Sequence, residues 1–96
     1  MVIGALKVEI YMEGNRSLKE KRTIIKSLLG KIRSRFINIS VSEVGSHDIW
    51  KHSTLGFTLV GNDTSLVNSL LDQLQIYIKE NGFFHIVSSE IDIIHF

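Results

Sequence analysis

The stretch RSLKEKRTIIKSLLGKIRSRF, residues 16–36, decides how the rest of the chain is read. Ser17-Leu18-Lys19-Glu20 has the spacing of a capping box: the Ser17 hydroxyl can accept from the Glu20 amide, and the Glu20 carboxylate can reach back to the Ser17 amide. Leu18, Ile25, Leu28, Leu29, Ile32 and Phe36 then recur at steps of three and four, forming one apolar stripe on a helix that runs to about Arg35. Residues 16–35 hold eight of the eleven Lys and Arg against one acid, Glu20, a net +7. The other 76 residues hold three cations and nine acids, a net −6, so the whole-chain charge of +1 conceals a strong polarity.

Outward from this helix the period changes to two. Val2, Leu6, Val8, Ile10 and Met12 share one parity against Lys7, Glu9 and Tyr11, which reads as a half-buried strand broken by Glu13-Gly14-Asn15. Ile37 to Val44 is rich in β-branched residues and reads as a second strand, Thr54 to Val60 as a third. Asp63, Thr64 or Ser65 can cap a second helix whose buried face is Leu66, Val67, Leu70, Leu71, Leu74 and Ile78. Asn81-Gly82 offers a left-handed stop. Phe83 to Phe96 completes the set, with a parity slip at Ser88-Ser89 that predicts a bulge. The order βαββαβ predicts an α+β ferredoxin-like domain over residues 1–96: a four-stranded antiparallel sheet with both helices on one face. The other face must meet water, a ligand or a partner.

Composition narrows the class. An apolar fraction of 44% suits a globular chain rather than a disordered one. The absence of Cys removes disulfides and thiolate metal sites and fits a reducing compartment. Lys7 and Glu9 interrupt the apolar N-terminus, so no signal peptide is expected, and no apolar run nears the roughly 20 residues of a membrane span.

At about 100° per residue, Arg22, Arg33, Lys26 and Lys19 fall within about 60° of one another beside the stripe. Arg16 sits just before them, and Lys31 and Arg35 lie on the opposite flank. Clustered cations displace counterions from phosphates, so Arg16, Lys19, Lys21, Arg22, Lys26 and Arg33 are the candidate nucleic-acid-binding residues and RNA or the ribosome the expected partner. The competing reading is of ordinary solvated charges whose stems cover a core helix, or of cations neutralised by acids on the neighbouring helix.

Glu43, His47, Asp48 and His52 crowd beside Trp50 and contain metal-type ligands and an acid–base pair. The plainer reading is a polar hairpin end with Trp50 packed over an edge, and no catalytic residue, metal or cofactor is assigned. Leu55-Gly56-Phe57-Thr58-Leu59-Val60 faintly echoes the base-stacking strand of RNA-recognition domains, but Phe57 shares parity with Leu55 and Leu59 and belongs to the core. Only Tyr11 is left for the exposed side of the first strand. The open face then suits self-association, with a homodimer hiding apolar residues of the last strand.

Ser17-Leu18-Lys19-Glu20-Lys21-Arg22, Lys26-Ser27-Leu28, Arg33-Ser34-Arg35-Phe36, Ser42-Glu43-Val44, Asp48-Ile49-Trp50 and Leu55-Gly56 together resemble the YlxP-like family, small bacterial proteins labelled a domain of unknown function. The resemblance spans nearly the whole chain. It implies a ferredoxin-like fold, a cytoplasmic location and a link to translation or ribosome maturation, because family genes often lie beside those of initiation and ribosome-maturation factors. It supplies no enzyme activity. Ile37 stands as an extra residue before the second strand, suggesting a bulge, and Lys51 replaces a common Gln. The surface implied by the resemblance is Arg16, Lys19, Lys21, Arg22, Lys26, Glu43, Asp48 and Trp50, of which Glu43, Asp48 and Trp50 are contacts outside the helix.

Three functions remain open at this point. One is a non-enzymatic RNA- or ribosome-associated module. Another is a homo-oligomeric structural or regulatory domain that binds a small ligand or protein partner, with a pocket near Glu43 to Lys51. The last is an enzyme built on His47, Asp48 and His52.

Overall fold

The computed structural model describes residues 1–47, 49–82 and 84–96. Their order is β1 (Val2–Tyr11), α1 (Leu18–Arg35), β2 (Ser40–Gly45), β3 (His52–Gly61), α2 (Thr64–Glu80) and β4 (His85–His95). The strands form one antiparallel sheet in the order β2-β3-β1-β4. Both helices pack on one side of it, as a ferredoxin-like fold requires.

The parity of β1 decides which face is covered. Val2, Leu6, Val8 and Ile10 of β1, with Met12 just beyond it, are buried with Leu55, Phe57 and Leu59 of β3 beneath the helices. Ile25, Leu28, Leu29 and Ile32 of α1, and Val67, Leu71, Leu74 and Ile78 of α2, close the same core. Each such side chain contributes about 1.5–3 kcal/mol by leaving water. Where α2 crosses β1 the backbones come close: a Cβ on Gly4 would lie 2.5 Å from Val67 Cγ1 and 3.0 Å from Leu71 Cδ1. A β-branched Val67 cannot swing aside, so this position needs glycine for space.

Both helix starts behave as their caps dictate. Ser17 Oγ accepts from the Glu20 amide at 3.1 Å. The Glu20 carboxylate reaches one residue further back than the capping box predicts, accepting from the Arg16 amide at 2.7 Å. Asp63 caps α2 by accepting from the Ser65 and Leu66 amides.

Four details differ from expectation. β2 begins at Ser40, because Phe36 caps α1 and Ile37-Asn38 turn; Ile37 is 90% exposed. The extra residue in β2 is Val44, not Ile37, since Glu43 pairs with Leu55 and Gly45 with Thr54. The end of α2 is not left-handed: the Asn81 backbone and side-chain amides both donate to the Tyr77 carbonyl, at 3.0 and 2.9 Å. The β4 bulge falls on Val87, because Glu9 pairs with Ser88 and Ile10 with Ile86. The expected start of the last strand, Phe83, lies outside the described residues.

The open face has two zones. Ile3, Val60 and Ile94 make an apolar row at one end, the last two well exposed. The middle rows are acidic, with Glu9, Glu90 and Asp92 against a single Lys7, whose ammonium lies 3.9 Å from Glu90.

Candidate functional site

Helix α1 presents its cations as the stripe requires. Arg16, Lys19, Arg22, Lys26 and Arg33 are all exposed, as are Lys31 and Arg35. Among the described residues, none of these seven side chains brings its charged group within 4.0 Å of a carboxylate; the contacts of that kind are Lys7–Glu90 and Lys21–Glu43, with the imidazoles of His52 and His85 near Glu9 and Glu13. Neutralisation by the acids among the described residues therefore does not hold for the ridge. On the other flank the Arg35 guanidinium stands 5.7 Å from the ring centre of Tyr77 in α2. The ridge of Lys19, Arg22, Lys26 and Arg33 is thus the flank turned away from α2.

Lys21 departs from expectation and is not a phosphate contact. Its side chain is only 1% exposed. Its ammonium donates to the carbonyls of Ser46, His47 and Ile49 and sits 3.1 Å from Glu43 Oε2. The Ile49 bond is 2.8 Å and the His47 bond 3.3 Å. A buried ammonium is tolerated only when its donors are filled and its charge is paired, and both conditions are met here. Glu43 is likewise inward rather than a surface contact: its carboxylate also accepts from the Ser53 hydroxyl, and its parity with Val41 places it under the helices. The Lys21 side chain thus reaches into the segment where the sequence places a small-ligand pocket, between Glu43 and Lys51.

This network fixes the β2–β3 loop against the start of α1. Ser46 adopts a positive φ of 61°, and its carbonyl takes both the Lys21 ammonium and the Ile49 amide. Three successive carbonyls are then held from the other side of the chain. Ile49 is bound by Lys21, Trp50 by the side-chain amide of the buried Asn15, and Lys51 by the Met12 amide at 2.7 Å. Trp50 itself is 52% exposed. The sequence marked the residue but not this anchorage, which spans about 30 positions and leaves no local periodicity.

The histidines are not gathered into one centre. His47 Nε2 lies 3.0 Å from the Glu43 carbonyl, to which it donates. His52 is on the open face, its ring 5.0 Å from Tyr11 and its Nδ1 3.8 Å from Glu9 Oε1. Glu43 and His52 therefore belong to opposite faces of the sheet. Asp48, named with them from the sequence, lies outside the described residues. No helix is long and apolar enough to cross a membrane among the described residues.

The chain is 30% identical over 77 residues to the uncharacterized protein YlxP of Bacillus subtilis (strain 168), a match covering 80% of this chain and 83% of that relative. In fold it is similar to a de novo designed protein with ferredoxin fold, solved by NMR. That similarity has a TM-score of 0.50 at 13% identity, over 98% of this chain and 84% of the designed one. Residues 3–91 match the family described as protein of unknown function DUF503, and with the YlxP relationship this shows that the chain belongs to that family.

Proposed function

We propose that the protein is a non-enzymatic RNA- or ribosome-associated module of the cytoplasm, acting in translation or ribosome maturation, that holds phosphates on the α1 ridge through Arg16, Lys19, Arg22, Lys26 and Arg33. The observation that carries this reading is that the five side chains are exposed and, among the described residues, none has a carboxylate partner. A ridge about four turns long spans several phosphates at about 5.4 Å per turn. With about four contacts, log affinity for a ribosomal RNA fragment should fall against log salt with a slope near −3 to −4. A titration between low and physiological salt measures it, and a slope near zero would remove the reading.

The exposed row of Ile3, Val60 and Ile94 favours a second reading, a homodimer or other protein contact over the open face. Sedimentation should then show a mass that rises with concentration, and that Ile94→Glu reduces to the monomer. A constant monomer mass counts against it.

A further inference from the structure

Trp50 is 52% exposed, an amphipathic ring with one face open to a partner. Its backbone is anchored: the carbonyls of Ile49, Trp50 and Lys51 are each bound, by Lys21, Asn15 and Met12. Two of those three donors, Lys21 and Asn15, are side chains with almost no exposure of their own. The anchorage also sets its neighbours. Asn15, which binds the Trp50 carbonyl, precedes Arg16, and Lys19 follows within the first turn of α1. Lys51 is exposed beside it. The nearest acid of α1, Glu20, is spent on the Arg16 amide.

From this juxtaposition we infer that Trp50 is a stacking platform for one unpaired nucleobase of a single-stranded RNA whose phosphates follow the ridge from Arg16 and Lys19 onward. The inference rests on the phosphate-binding reading above. A rigid aromatic face loses little freedom when a base covers it, and any base offers a π-face, so the contact selects unpaired strand over duplex rather than one sequence. Lys21 and Asn15 act as positioning residues, holding the indole where a strand leaving the ridge meets it.

The chain contains one Trp, so its fluorescence reports this site alone. The test titrates the protein with a labelled twelve-nucleotide oligoadenylate, a twelve-base-pair RNA duplex and inorganic polyphosphate. Oligoadenylate should quench Trp50, whereas polyphosphate and duplex should bind without quenching. Trp50→Ala should weaken oligoadenylate about five- to 150-fold, the range for losing one stacked base, and leave polyphosphate within twofold. Trp50→Phe, which keeps a ring, should retain most of the oligoadenylate affinity. If oligoadenylate binds with no change in fluorescence, or if Trp50→Ala weakens both probes equally, the stacking inference is overturned while the ridge stands. If neither oligoadenylate nor polyphosphate binds, the ridge reading itself has failed.

Discussion

Reversing Arg22 and Lys26 to Glu should abolish retention of the protein on ribosomal RNA at 0.1 M salt. Both residues are exposed members of the ridge, and neither carries a carboxylate partner among the described residues. Losing two of about four phosphate contacts should lower the salt slope by about 1.4–1.8, and at 0.1 M salt counterion release alone then costs roughly 25- to 60-fold in affinity. Like-charge repulsion from the new carboxylates adds to that loss. The control is Lys31→Glu with Arg35→Glu, which changes net charge equally from the other flank. A comparable loss in that control would mean that RNA responds to total charge and not to a ridge. Unchanged binding by a folded Arg22→Glu/Lys26→Glu protein would refute the interface.

Lys21→Met should be the most destabilising single change at any charged position, by about 3–5 kcal/mol in urea denaturation, because one partner of a buried ion pair is removed and the other remains. The methionine fills much of the space but leaves the carbonyls of Ser46, His47 and Ile49 without their shared donor, and Glu43 without its cation. Replacing Glu43 by Leu in the Lys21→Met background should recover part of the loss, since the stranded carboxylate disappears while the His47 and Ile49 carbonyls still lack the ammonium and Ser46 keeps only the Ile49 amide. A loss below about 1 kcal/mol for Lys21→Met would show that water takes over the carbonyls and that the ammonium does not organise the loop.

The fold was legible because its signals are local. The Ser17 and Asp63 caps, the two helical stripes and the alternation of β1 each specify an element, and the order of the elements leaves one economical sheet. Errors arose where a residue type pointed one way and its neighbours another. Ile37 and Ile39 are β-branched and read as strand, yet α1 must first be capped and turned, which uses residues 36–38. Lys21 was grouped with the surface cations by charge, although at about 100° per residue it falls inside the apolar arc between Leu28 and Ile32. Glu43 likewise shares parity with Ile39 and Val41, an acid in a buried register. A lysine and a glutamate, each on the apolar side of its own element, form a detectable pair in the sequence. Their partners, the backbone carbonyls of a distant loop, have no side-chain identity and leave no trace in it.

The separation of charge between the helix layer and the open sheet face gives the molecule a permanent electric moment. In the field of a polyanion such a body experiences a torque before it experiences contact, so tumbling is biased to bring α1 forward and to trail the Glu90 and Asp92 side. If the ridge is the phosphate-binding surface proposed above, the acids of the sheet act as the vane that turns the molecule toward its partner.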